Sequence, residues 1–280
     1  MQEQVFRHLA GVVLSRTGHA LHASRAFLIE SRLGPLARQV PGRSVDALLS
    51  DEAGLADPDS ADEIAAALLP RETWFFRERP VLERLVHDIL PARLAATPGR
   101  RLRVWCAGGG TGQEAYSLAM LLDDARSTFP ANAGIDIVST DLSAAATARA
   151  RTGRFTHFEA QTGLPAHLLL QHFTPLENGD WQASDALRNR ISFRRHNLFD
   201  GADGLGAFDV ILCRHVLTGM TRRASQRVAG ILAEALTPGG LVVTGAGENL
   251  EGLHDGLRPA QSLRGGWTTA SKAATGFSVA

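Results

Sequence analysis

The sequence predicts an α/β protein built on a doubly wound, mostly parallel sheet, preceded by a small helical unit. Three observations carry that expectation. Four short β-rich runs, LRVWCAG, IDIVSTD, FDVILCR and GGLVVTGAG, follow Arg101, each closed by small or polar residues. Helical or mixed stretches separate the first three, and strand–helix alternation is the signature of parallel strands joined by crossover helices. Up to about Leu69 no convincing strand occurs and the pattern is helical.

Taken in order, RAFLIESRL contains helix formers and is expected to stop at Gly34-Pro35, because proline lacks an amide donor and crowds the preceding turn. SDEAGLADPDS reads as loop. In SADEIAAALL, Ser60 and Glu63 have capping-box spacing, so a helix is expected to start there. Residues 1–70 thus read as an N-terminal helical domain, 71–100 as a linking helical segment, and 101–250 as the sheet domain. Residues 152–190 interrupt the alternation with GLPAHLLLQHF and LENGDW, where Asn178-Gly179 is a hairpin-turn signal, so a small antiparallel β insertion is expected. SQRVAGILAEALTPGG reads as a helix closed by a Pro-Gly-Gly turn. Residues 251–280, ending in GWTTASKAATGFSVA, read as a weakly patterned C-terminal tail.

Composition narrows the function classes. The chain has 280 residues, 44% apolar and 21% charged, with 29 basic and 29 acidic residues. No excess charge argues for nucleic acid or a membrane surface. Lys272 is the single lysine, and Cys106 and Cys213 are too few for a disulfide framework or a cysteine-based zinc site. The first residues lack the basic–apolar–small pattern of a signal peptide, and no apolar run nears the roughly 20 residues of a spanning helix. A cytoplasmic protein without resident metal is expected. His19 and His22 lack the i, i+4 spacing of a helical metal pair.

Chemistry concentrates in VWCAGGGTGQEAYSLAMLL, where a strand runs into Gly108, Gly109, Gly110 and Gly112. Ligands of open parallel sheets bind beyond the carboxyl ends of strands. No lysine follows these glycines, which excludes the phosphate-cradling loop of nucleoside triphosphatases. Glu114 stands near the start of the next helix, where a dinucleotide would place its pyrophosphate, and a carboxylate there repels phosphate. It suits instead a cationic ligand such as S-adenosylmethionine, with its sulfonium and ammonium. Asp141, at the end of IDIVSTD, can accept hydrogen bonds from ribose hydroxyls, a role compatible with either NAD or S-adenosylmethionine.

These segments resemble a known family. ETWFFRERP, AGGGTGQEAYSLAM, STDLS, FRRHNLFD and FDVILCRHVL occur in the order found in the chemoreceptor methyltransferases, the CheR proteins, and SRTGHALHASRAFLIESRL resembles their N-terminal helical domain. The likeness runs from about residue 10 to 250, and TWFFRE is its most specific element. It implies a Rossmann-like class I methyltransferase fold, S-adenosylmethionine as cofactor with S-adenosylhomocysteine as product, and methyl transfer to glutamate side chains of chemoreceptor signalling helices. It further implies a monomer in the cytoplasm, recruited to membrane receptor arrays. Carried over by position, the cofactor contacts fall on Thr73, Arg77, Gly108, Glu114, Asp141, Asn197, Leu198, His215 and Val216. Arg77 is the expected catalytic-site residue, orienting the cofactor and the incoming carboxylate. The chain departs from the family pattern at Arg71, Ala115, His215 and Gly219-Met220, where the family has asparagine, proline, asparagine and a Tyr-Phe pair.

A glutamate side chain ionises near pH 4.3, so it is a nucleophile at neutral pH and needs no general base. Arg25 and Arg32, seven apart on one helical face, read either as solvated arginines or as a docking surface for acidic receptor helices. Cys106 and Cys213 are expected to be buried thiols on neighbouring strands. The altered Gly219-Met220 segment keeps two other readings open: a non-catalytic module binding S-adenosylmethionine or S-adenosylhomocysteine, and a methyltransferase for a different acceptor.

Overall fold

The computed structural model describes residues 3–25, 27–70, 72–130 and 133–269, with the side chains of Arg25 and Glu52 outside the description. The N-terminal part comprises α1 (Glu3–Thr17), α2 (Phe27–Ala37), α3 (Val45–Leu49), α4 (Glu52–Ala56) and α5 (Pro58–Leu68). Their apolar faces meet in one cluster that includes Leu9, Val13, Ile29, Leu33, Leu49 and Ile64.

Three local expectations are corrected here. Helix α2 does not stop at Gly34-Pro35 but carries Pro35 inside its last turn. So late in a helix a missing donor removes a single ladder bond, and the Arg38 N–H still reaches the Gly34 carbonyl at 3.1 Å. SDEAGLADPDS is not loop, since it forms α4 and begins α5. Asp57, rather than Ser60, caps α5: its side chain accepts from the Ser60 N–H at 2.8 Å, and Pro58 takes a first-turn position where no donor is needed. Glu63 is thereby freed from a capping box and accepts from the Ala144 N–H of the sheet domain.

A helical passage follows: α6 (Arg79–Arg84), a π turn at Leu85–Ile89, and α7 (Leu90–Ala96). Pro91 explains the wide turn, because it cannot donate to the preceding turn and its ring crowds a carbonyl there. Next come β1 (Leu102–Ala107), α8 (Gln113–Asp124), β2 (Ile135–Asp141) and α9 (Ala144–Thr152). The insertion holds β3 (Arg154–Phe155), α10 (His157–Gln161), α11 (Ala166–His172), β4 (Phe173–Pro175), β5 (Trp181–Ala183) and α12 (Asp185–Arg188). The chain then returns through β6 (Ile191–Arg195), β7 (Phe208–Cys213), α13 (Arg222–Ala235), β8 (Leu236–Thr244), β9 (Leu257–Pro259) and β10 (Gly266–Thr269).

The main sheet has seven strands in the order β6-β2-β1-β7-β8-β10-β9. Strands β6, β2, β1, β7 and β8 are parallel, and β10 runs antiparallel to both β8 and β9. Both faces of the centre are covered: Val104 and Cys106 of β1 point into one core, Trp105 and Ala107 into the other. That two-sided burial explains why β1 and β7 are near-continuous apolar runs. The separate sheet β3-β5-β4 is antiparallel, with Gly179 at φ 83° in the β4–β5 turn, as Asn178-Gly179 predicts.

The tail expectation is also corrected for residues 257–269, which pair as β9 and β10 against β8, while residues 270–280 lie outside the described part. Trp267 explains the attachment, since it is 6% exposed and packs into the second core beside Val242 and Leu257. Residues 270–280 include Lys272, and the departure at Arg71 likewise falls outside the described residues.

Candidate functional site

At the carboxyl ends of β1, β2 and β7 the chain encloses a cavity of about 440 Å³. All nine residues singled out from the sequence, Thr73, Arg77, Gly108, Glu114, Asp141, Asn197, Leu198, His215 and Val216, line it. The helical unit roofs it with Arg16, Thr17, His19, Ala66 and Leu69.

The turn after β1 requires glycine for two reasons. Gly108 has φ 72°, and a Cβ there would lie 2.6 Å from Val216 Cγ2. At Gly109 a Cβ would sit 2.1 Å from Ser139 Oγ. The Gly110 N–H donates to Asp141 Oδ2 at 2.8 Å and the Ser143 N–H to Oδ1 at 2.9 Å, which holds the Asp141 carboxylate at the end of β2 along the cavity wall.

The segment over the cavity is anchored by aromatic packing. Phe75 is fully buried, 4.8 Å from the Phe155 ring and 5.8 Å from Phe173, and the Phe76 N–H donates to Ser117 Oγ. Thr73 and Arg77 on either side consequently face the cavity. The Arg77 guanidinium lies 4.3 Å from the Trp74 ring centroid and donates to the Glu72 carbonyl at 2.7 Å. Phe76 and Glu78 both have φ 54°, an uncommon conformation for such residues.

Charge in the site is organised by a residue the sequence reading passed over. The Arg214 side chain is 1% exposed and donates to Glu114 at 2.7 Å, to the Arg77 carbonyl at 2.6 Å, and pairs with Glu78 at 3.2 Å. Burial pushes the Glu114 carboxyl above its ordinary value, and the Arg214 charge opposes that rise. At Glu78 burial also disfavours the charge, yet the Ala246 N–H and Arg214 outweigh it and leave this carboxyl below the usual range. His215 Nε2 sits 2.5 Å from Glu78 Oε1, with His215 itself at φ 61°. Histidine is among the residues that tolerate this region, so the departure from asparagine keeps the backbone shape.

Asn197 lines the cavity, but its amide is engaged elsewhere. It donates to the Arg16 carbonyl and to Asp62 Oδ1, both at 3.0 Å, and accepts from the Phe199 N–H. Asp62 in turn pairs with Arg16 at 2.5 Å, so this buried node joins the helical unit to the sheet domain. The Thr221 N–H bonds the Gly18 carbonyl at 2.9 Å beside a bridge between His19 and Met220. Gly219, at φ 89°, leaves room for the His19 imidazole, whose Cδ2 would stand 3.3 Å from a Cβ at that position.

Other expectations resolve simply. Arg32 donates to the Leu68 and Leu69 carbonyls at 2.9 and 2.7 Å, capping the end of α5 rather than facing solvent, and the Arg25 side chain lies outside the described residues. Cys106 and Cys213 are free and buried on adjacent strands, and burial pushes both thiols up.

A glycine turn at the end of β1, an acid at the end of β2 and an acidic first turn of α8 line one crevice at the carboxyl edge of a Rossmann-like sheet, where ligands of such sheets bind. Residues 71–264 match the family described as CheR methyltransferase, SAM binding domain. The chain is 32% identical to Chemotaxis protein methyltransferase Cher2 of Pseudomonas putida over 250 residues, covering 89% of this chain and 91% of that protein. It is also 32% identical to Chemotaxis protein methyltransferase 1 of Pseudomonas aeruginosa, over 91% of this chain and 93% of the other. Chemotaxis protein methyltransferase of Vibrio parahaemolyticus is 29% identical over 91% and 92% of the two chains. The chain therefore belongs to the CheR methyltransferase family, and its cofactor is S-adenosylmethionine. The matched region runs past residue 250, into the part of the chain that forms β9.

Proposed function

We propose that the protein methylates glutamate side chains on the cytoplasmic helices of chemoreceptors, at the crevice roofed by residues 1–70 and held by residues 101–250. The observation carrying this reading is that all nine family-aligned cofactor positions line one cavity. Its size lies in the roughly 300–1,000 Å³ range of small-ligand sites, and its first-turn acid and strand-end acid suit a cationic adenosyl compound. When bound, the cofactor supplies a methyl group activated by the sulfonium charge.

The chain's own residues bind and align. Asp141 would accept from the ribose hydroxyls, Gly108 would let the backbone approach the ligand closely, Leu198 would border the adenine, and His215 and Val216 would close the pocket. Asn197 acts through the node that seats the helical roof. Thr73 and Arg77, on the anchored aromatic segment, would hold the cofactor carboxylate, and Arg77, stacked on Trp74, would orient the incoming glutamate. An ionised acceptor needs no proton removed, so alignment and exclusion of water are what the site must provide. The proposal takes the protein as a cytoplasmic monomer that meets its receptors at the membrane arrays; separately, no helix among the described residues is long and apolar enough to cross a membrane.

Transfer of a tritiated methyl group from the cofactor to a receptor cytoplasmic fragment tests the proposal. Base-labile label on glutamate is the expected result. Cofactor binding without any label would support a non-catalytic module, and label confined to other acceptors would reassign the substrate.

A further inference from the structure

We infer that Glu248 is a positioning residue for cofactor binding, acting through the backbone of the loop that follows β7. Its two carboxylate oxygens gather five donors. Oε1 accepts from the Leu217 N–H at 2.7 Å, the Thr218 N–H at 3.0 Å and Thr218 Oγ1 at 3.1 Å. Oε2 accepts from the His215 N–H at 2.7 Å and the Gly245 N–H at 2.9 Å. One side chain thus ties together the carboxyl ends of two adjacent parallel strands, β7 and β8. Converging backbone N–H groups of this kind make an anion-binding concavity, and here the anion belongs to the chain itself.

What this concavity holds in place is the wall formed by His215 and Val216, so the inference rests on reading those residues as cofactor contacts. Val216 stands against Gly108, where even a methyl group would come within 2.6 Å. His215 presses on Gly245 so closely that a Cβ there would meet its backbone nitrogen at 2.8 Å. A loop packed to these tolerances, with His215 at φ 61°, needs an external restraint. Its neighbours Ala246, Gly247 and Asn249 are exposed and supply little packing. Glu78 restrains the opposite side, accepting from the Ala246 N–H at 3.1 Å and contacting the His215 ring. Glu248 binds the backbone at His215, Leu217, Thr218 and Gly245, whereas Glu78 holds the His215 ring and the single N–H of Ala246.

The test replaces Glu248 with glutamine, which keeps length and shape but turns one acceptor into a donor facing N–H groups. Asp209→Asn makes the same chemical change at the other end of β7, where that buried carboxylate accepts from the Arg103 N–H and Thr237 Oγ1. Titration of the full chain with S-adenosylhomocysteine should show Glu248→Gln raising Kd about tenfold or more, some 1.4 kcal/mol, and Asp209→Asn leaving it within about twofold. Hydrogen exchange at residues 215–218 should quicken in Glu248→Gln while β7 stays protected. Normal affinity in folded Glu248→Gln, or equal weakening by Asp209→Asn, would overturn the inference. Should Glu248→Gln not fold, Glu248→Asp, too short to span both loops, must weaken binding about threefold, and unchanged affinity would be equally fatal. Gly108→Val separates the underlying reading: normal binding by that variant refutes the cavity assignment itself. Loss there combined with normal Glu248→Gln refutes the role of Glu248 alone.

Discussion

Replacing Arg214 with methionine should destabilise the protein strongly, and by an amount that grows with pH. The guanidinium is 1% exposed and is shared by Glu114 and Glu78. Methionine fills comparable space, so packing loss is small and the electrostatic consequence dominates. Removing one partner of a buried ion pair costs about 3–5 kcal/mol, because the remaining charge is left without compensation. Here two carboxylates are stranded within one pocket, and each can relieve the cost by taking up a proton. Their folded-state pKa values then rise above the unfolded value near 4.5. A raised pKa means the stability contribution is intact below the unfolded value and is lost as pH climbs through the folded one. Denaturant unfolding at pH 5 and pH 8 should therefore show a modest deficit at the lower pH and roughly 3–5 kcal/mol at the higher. In thermal scans the latter is a fall of roughly 6–20 °C. A deficit below about 1 kcal/mol at pH 8, or one equal at both pH values, would refute the view that Arg214 neutralises these acids.

Arg77→Ala should lower methyl transfer about tenfold or more, roughly 1.4 kcal/mol of barrier, in a single-turnover assay with saturating cofactor, since it removes the Trp74-stacked cation that lines the cavity. Asn197→Ala should cost about 1–3 kcal/mol by leaving the Arg16 carbonyl, Asp62 and the Phe199 N–H short of a partner. Limited proteolysis should then cut between residues 1–70 and the sheet domain faster than in the parent. For pH dependence, burial holds the His172 imidazole below its ordinary value of 6.5, and its Nε2 has no partner among the described residues. A depressed folded pKa gives stability that is present above about 6.5 and is lost as pH falls below it. Unfolding free energy measured from pH 7 to pH 5 should fall less steeply in His172→Phe than in the parent.

The features legible in the sequence were those with local physical signatures. Strands β1 and β7 announced themselves because burial on both faces demands near-continuous apolar runs, and β2 through its buried Ile137 and Val138. The glycine turn was legible because its backbone conformation excludes other residues. Helix boundaries failed where two local signals competed: Ser60-Glu63 and Asp57-Pro58 both resemble a helix start, and the structure uses the second while Glu63 accepts from Ala144, a partner 81 residues away. Strand β6 was not among the four β-rich runs because its alternating burial at Ile191 and Phe193 leaves the polar Ser192 between them and two arginines after them. Strand β10 escaped because its one large anchor, Trp267, stands among glycines and threonines. Arg214 and Glu248 were invisible for a different reason. An arginine after a strand and a glutamate in a loop are ordinary in sequence, and their importance comes from partners 100 and 33 residues away.

Those distant partners also change the reason a cationic cofactor fits. From sequence, Glu114 looks like an isolated negative charge that repels phosphate, but in the fold it is paired with Arg214. An isolated pair would be neutral and would discriminate poorly. Glu78 restores the bias: two carboxylates share one guanidinium, so the ionised trio carries one negative charge in excess. Of the three, Glu114 and Arg214 line the cavity, while Glu78 stands behind them with its side chain 24% exposed, so its effect reaches the cavity through the shared guanidinium. Under the proposed function, the selectivity that sequence alone credits to one glutamate would be shared by three residues drawn from β7's end, the first turn of α8 and the segment before α6.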